Sequence, residues 1–251
     1  MAPRAGVCGN LPPDPPSVNR KLDTCVDFCG TAPCAAPSVA FTLPAMTLDR
    51  TDRSWRGTPD LWLDAAYDLL VEAGVEAVKV MPLAQRLGLS RTSFYWHFPD
   101  REALLAGLVA RWRAKNTGTL VARCEAPAAT ISEAMLNLID CWVDPALFDS
   151  RLEVAMRTWA LTDAVVKSAM ADADAIRLCA ITALFRRFGY GETEADTRAR
   201  TLYLTQVGYI AVGSAESFDI RMGRIPAYVL TFSGVAPSPA EIATFRARHS
   251  G

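Results

Sequence analysis

From Thr58 onward, apolar residues recur at helical spacing, and no alternating run is long enough for a sheet strand. Leu61, Trp62, Ala65, Ala66, Leu69, Leu70 and Ala73 share one face of a first helix. Thr58 suits its N-cap, Pro59 its first position, Asp60 the positive end of its dipole, and Gly74 the residue just past its end. Asp60, Asp64, Asp68 and Glu72 run down another face, which reads as solvated rather than metal-binding. The spacing predicts further helices over Met81 to Leu87, Arg91 to His97 and Arg101 to about Lys115, with a break at Asn116, Thr117 and Gly118. Helices are then predicted over about Ala128 to Trp142, Leu147 to Thr162, Asp163 to Phe188 and Glu192 to Ser217, and Pro226 is expected to open a short last helix ending near Gly234. The fold class expected is all-α.

Residues 1–45 break this pattern. Pro12, Pro13, Pro15 and Pro16 exclude regular structure around them, and no apolar period is present, so a disordered extension is expected, from a start codon assigned too far upstream.

One stretch has the punctuation of two short helices meeting at a steep angle, from Val80 to about His97. Gly88 offers the positive φ that ends the first, Ala84 is small enough for close packing, and Ser90 caps the second. Leu83, Leu87, Leu89, Phe94 and Phe98 make a small core. Arg91, Thr92, Ser93, Tyr95, Trp96 and His97 are left to project from a helix too short to bury both faces. Those side chains suit a helix that enters a major groove, with Arg91 on a base edge and hydroxyls and imidazole on phosphates.

Charge supports this locally. The net charge of −1 carries no nucleic-acid signature, but Lys79 to Lys115 holds seven basic residues (Lys79, Arg86, Arg91, Arg101, Arg111, Arg113, Lys115) against two acidic ones. From Asn116 onward thirteen basic residues face fifteen acidic ones, so the positive excess is confined to the region around the turn. Of the seven cysteines, Cys124, Cys141 and Cys179 read as small buried hydrophobes, while Cys25, Cys29 and Cys34 lack a CxxC pair and read as free thiols. No metal or cofactor is expected. The uncharged run Thr201 to Ala215 is shorter than the ~20 residues of a membrane span, and no secretory segment follows Arg4, which predicts a cytoplasmic protein.

The stretch Leu83 to Leu105, with Phe94-Tyr95-Trp96-His97-Phe98 and Arg101-Glu102-Ala103-Leu104-Leu105, resembles the tetracycline-repressor (TetR) family, and weaker likeness begins at Thr58. The resemblance implies a homodimer with a helix-turn-helix DNA-binding domain (46–100) and a larger helical domain for effector binding and dimerisation (101–251). It implies a repressor that leaves a palindromic operator when a small molecule binds. It places Arg91, Thr92 and Ser93 at base-reading positions, Tyr95 and His97 on phosphates, and Trp96 on backbone or a thymine methyl; the capping Ser90 is counted with the DNA contacts, and Arg101, where the family usually has Lys, can still reach a phosphate. Lys79 stands where the family usually has a capping Thr or Ser, and Met81 where some members carry an arginine that reads guanine. In the C-terminal half, Gly208, Ala211 and Ala215 form a small-residue stripe expected at the dimer interface, with an ordinary buried helix as the other reading. Trp142, Phe148, Met156, Trp159, Phe185, Tyr203 and Tyr209 are candidate pocket or core residues. Two other functions stay open: a TetR-like DNA-binding protein without an effector, and an all-α enzyme, for which no HExxH, Glu-x-x-His or nucleophile–base pattern speaks.

Overall fold

The computed structural model describes residues 57–213 and 216–249, and among them every regular element is helical. The expected extension over residues 1–45 and the thiols of Cys25, Cys29 and Cys34 lie outside the described residues. Helix α1 (Pro59–Ala73) begins as its sequence dictates: the Thr58 hydroxyl accepts from the Leu61 amide at 3.2 Å, and Gly74 ends the helix at φ 79°. A short 3-10 turn (Val75–Ala77) leads to α2 (Val80–Leu87), α3 (Arg91–Tyr95) and α4 (Arg101–Trp112), the last capped by Asp100.

The break expected at Asn116 to Gly118 is absent. α4 runs through a π-helical segment (Arg113–Gly118) into α5 (Thr119–Glu125). The polar residues that looked like punctuation are instead buried and used. Asn116 exchanges two hydrogen bonds with the backbone of Asp149, donating to its carbonyl (3.0 Å) and accepting from its amide (2.9 Å). The Thr117 hydroxyl accepts from Arg177 at 2.9 Å. The extra residue of a π turn re-aims side chains, and here it turns both inward.

Next come α6 (Ile131–Val143), α7 (Ser150–Trp159), α8 (Ala164–Arg187), α9 (Glu192–Val212), α10 (Phe218–Ser233) and α11 (Pro239–Arg248). Pro226 does not open a helix but sits inside α10, whose start is set by Ser217 accepting from the Ile220 amide at 3.3 Å. Burial of Met222, Ile225 and Val229 on one face holds that helix together across the proline. α11, absent from the sequence expectation, starts with a reciprocal capping box between Ser238 and Glu241.

Two apolar cores form. One gathers Trp62, Leu70, Leu83, Phe94, Leu104, Leu108 and Trp112 of α1–α4 with Leu152, Met156 and Trp159 of α7 and Val166, Met170 and Ala173 of α8. The other joins α5, α6, the second half of α8, α9, α10 and α11 around Leu120, Met135, Phe185, Leu202 and Phe245. Cys124 and Cys141 are buried in the second core as expected, whereas Cys179 is exposed, because it lies on the outer side of α8.

A polar network lies between the cores. Arg177, 0% exposed, donates to both carboxylate oxygens of Glu153 (2.7 and 3.2 Å) and to the Tyr203 hydroxyl (3.0 Å). Glu153 also accepts from the Trp112 indole (2.7 Å) and Asn116 (3.0 Å), and Arg157 bridges it to Asp174. Burial alone would push the Glu153 carboxyl up, but the charge and hydrogen bonds of Arg177, a hydrogen bond from Asn116 and the charge of Arg157 hold it below the usual carboxylate range. From α1, the Tyr67 hydroxyl reaches Asp149 at 2.8 Å, and burial together with that carboxylate raises Tyr67 to about 12.

Candidate nucleic-acid interface

Between α2 and α3 the chain turns on Gly88, at φ 64° and ψ 26°, with its amide donating back to Ala84 and Gln85. A Cβ there would meet nothing within 4 Å, so it is the left-handed backbone alone that calls for glycine. Ser90 caps α3 by accepting from the Ser93 amide at 3.1 Å. Phe94 is the anchor: it is fully buried, meets Trp62 edge-on at 5.3 Å and stacks on Phe98 at 5.5 Å. With Phe94 inward, the other side of this short helix must face out. Arg91 and Thr92 are exposed, and Tyr95 and Trp96 are 48% and 59% exposed. Lys79 and Met81, at the start of α2, are exposed as well, and Lys79 offers α2 no side-chain cap.

Four of the residues expected on DNA have partners within the chain, Ser90 among them as the cap of α3. Ser93 is fully buried, and its hydroxyl bonds that of Ser90 at 2.9 Å, because position 93 shares the inward face with Phe94. The Nε2 atom of His97 lies 3.1 Å from the Gly57 carbonyl, a contact that requires the proton on Nε2. Arg101 donates to the carbonyls of Val78 (2.6 Å) and Val75 (2.9 Å), and pairs with Glu102. It thus holds the turn between α1 and α2 rather than presenting its guanidinium outward. Accordingly, Arg101→Ala is expected to lower the melting temperature, since charged hydrogen bonds are worth about 1.5–3 kcal/mol each. Calorimetry on the variant checks this; a thermally unchanged variant with a reduced salt slope of DNA binding would return Arg101 to the phosphates.

The local positive excess is mostly neutralised inside the fold. Arg86 pairs with Glu72 (2.8 Å) and Asp68 (3.3 Å), Arg111 with Asp64, and Lys115 with Asp149. Asp64, Asp68 and Glu72 of the acidic row of α1 are therefore paired, and these partners are not legible in a one-dimensional count. Among the described residues, Lys79, Arg91 and Arg113 make no ion pair, and the first two flank the exposed face of α2 and α3.

On the C-terminal side a cleft of about 650 Å³, counting the part open to solvent, lies between α6, α9 and α10. Of the seven residues suggested for a pocket, Trp142 and Tyr209 line it; Phe148, Met156, Trp159, Phe185 and Tyr203 are buried in the cores. Among the lining residues missed, Arg221, Ile225, Tyr228 and Phe232 all lie on α10, which starting a helix at Pro226 divides. Gly208 and Ala211 are exposed on α9 beside Leu204 (59%) and Val212 (82%), which excludes the reading of this stripe as an ordinary buried helix within one chain; Ala215 lies outside the described residues.

Residues 63–108 match the family model described as "Bacterial regulatory proteins, tetR family". The chain is 39% identical over 67 residues to the tetracycline repressor protein class A from transposon 1721 of Escherichia coli, covering 27% of this chain and 31% of that protein. It is 37% identical over 54 residues to the class D repressor of Escherichia coli, covering 22% of this chain and 25% of that one. The chain thus matches about a third or less of the length of these curated relatives. Among solved structures, Salmonella enterica GusR superposes with a TM-score of 0.50 at 15% identity, covering 76% of this chain and 92% of that one, a likeness of fold.

Proposed function

We propose, from the premise that this chain belongs to the TetR family of bacterial regulatory proteins, that it is a DNA-binding repressor which a small molecule releases from its operator. The observation that carries the DNA-binding reading is the exposed face of α3, with Arg91, Thr92, Tyr95 and Trp96 projecting around a buried Phe94. A guanidinium and a hydroxyl at the start of a helix can read base edges, while two half-exposed aromatic rings suit sugar–phosphate backbone and thymine methyls. Ser90, Ser93, His97 and Arg101 support this helix rather than touch DNA. Residues 46–100 form the DNA-binding part in this reading, and 101–251 the part that receives the effector and dimerises.

The dimer is proposed on the exposed face of α9. Leu204, Gly208, Ala211 and Val212 make a stripe on which a second copy could pack closely, and Leu230 of α10 is also exposed (47%). Two recognition helices then meet successive major grooves, with half-site centres about 34–36 Å apart or a multiple of that. Selection from random duplexes is expected to recover a pseudo-palindrome, and light scattering at micromolar concentration a dimer. Selection that enriches no sequence would sink the DNA-binding reading, and a monomeric mass would sink the dimer.

A further inference from the structure

We propose that the cleft between α6, α9 and α10 takes a small apolar monocarboxylate, with Arg221 as the residue that meets its carboxylate. The inference rests on the effector-responsive reading and names the chemistry of its ligand.

The walls are apolar and aromatic: Ile139, Trp142, Leu202, Ile225 and Phe232 face a cavity of about 70 Å³. That is well under the ~150 Å³ of a dry cavity that holds benzene, so the cavity takes a short branched chain or the edge of a single ring, and the rest of the ligand, with its polar end, lies in the open part of the cleft. Two charged side chains line this space, Glu216 and Arg221. Glu216 is already committed: it accepts from the Tyr209 hydroxyl at 2.8 Å and from Arg224. Those two bonds hold its carboxyl below the usual range, with the charges of Arg224 and Arg221 adding to them. It is therefore an ionised group with one hydrogen bond on each carboxylate oxygen.

Arg221 differs. It donates one hydrogen bond, to the Trp142 carbonyl at 2.7 Å, and its guanidinium lies 5.7 Å from the centre of the Tyr209 ring. Among the described residues it makes no ion pair. A guanidinium carries five N–H donors; the Trp142 carbonyl takes one and Glu216 acts on Arg221 through space without a direct bond, so donors remain for an anion in the cleft. A carboxylate meets them by bidentate pairing. A cationic ligand would meet two like charges, Arg221 and Arg224, against the one carboxylate of Glu216, which Arg224 and the Tyr209 hydroxyl already engage.

The test uses the full chain with phenylacetate, its neutral isostere phenylacetamide and the cation phenethylamine, and isovalerate as a branched acid, read by thermal denaturation and calorimetry at up to millimolar concentration. At least one acid is expected to raise the melting temperature, and the amide and amine to bind at least about tenfold more weakly. Arg221→Gln, which keeps a donor for the Trp142 carbonyl, is expected to weaken the acid about tenfold or more while its ligand-free melting temperature stays near that of the parent. Arg221→Lys is expected to keep the preference for acid over amide, because the charge remains. Equal binding of acid and amide, preference for the amine, binding by none of the four, or an unaltered affinity in Arg221→Gln would each overturn the proposal. Binding to the selected DNA is measured separately. A protein that binds its operator but no acid loses only this inference, and one that binds acid but no DNA loses the function above.

Discussion

Replacing Arg177 by methionine is expected to cost about 3 kcal/mol of folding stability, the low end of what breaking a buried ion pair costs. Arg177 is fully buried against Glu153, itself 1% exposed, so the variant leaves a carboxylate in the interior with its principal counter-ion gone. Arg157, 2.9 Å from the same carboxylate, limits the loss. The urea midpoint at neutral pH measures the effect. An unchanged midpoint would mean that Trp112, Asn116 and Arg157 satisfy Glu153 by themselves. Adding Glu153→Gln to the variant is expected to recover part of the loss, since a neutral amide is cheaper to bury than a carboxylate.

The same pair fixes a pH dependence. In the native protein the Glu153 carboxyl sits below its unfolded value of about 4.3. A depressed carboxyl contributes stability that is present above the unfolded value and is lost as the pH falls through the folded one. In Arg177→Met the main depressing charge is absent and burial pushes the group up, so the variant takes up a proton at higher pH. The gap between parent and variant is therefore widest near neutrality and narrows as the solution is acidified toward pH ~4. A gap independent of pH would assign the loss to packing rather than to charge.

The second large effect concerns reading. Arg91→Ala is expected to weaken binding to the selected operator about 10- to 100-fold and to relax base preference at one position of each half-site, because a bidentate arginine–guanine contact is worth ~1–3 kcal/mol. Lys79→Ala is expected to weaken operator and scrambled DNA alike and to lower the salt slope by about one unit. Titrations of both variants against both DNAs at several salt concentrations separate the two roles. If Arg91→Ala weakens both DNAs equally, Arg91 grips phosphate and the base-reading assignment is wrong.

The elements whose signals are local were legible in the chain itself. Thr58-Pro59, Gly74, Gly88 and Ser90 act on amides and dihedrals within one turn, so α1 and the turn between α2 and α3 fall where those residues place them. Phe94 and Phe98 were assigned inward on helical spacing and both are buried. Decisions about partners were another matter, because a side chain's partner can lie tens of residues away. Arg101 carries a positive charge in any linear count, yet carbonyls 23 and 26 residues upstream take its donors. Arg86 and Arg111 are drawn to α1 in the same way, across 14 to 47 residues, so the basic excess is reduced mainly to Lys79 and Arg91 at the exposed face. Ser93 shows the limit at short range: its spacing permits either face of a five-residue helix, and the packing of Phe94 on Trp62 turns it inward. Asn116 and Thr117 have the composition of a loop, and only the burial of Arg177 and Glu153 between two cores makes a π turn the cheaper place for them. Local backbone chemistry thus set where helices start and turn, while long-range charge pairing decided which polar groups remain at the exposed face of α2 and α3 and in the cleft, since an ionised group goes to whichever partner best offsets its desolvation.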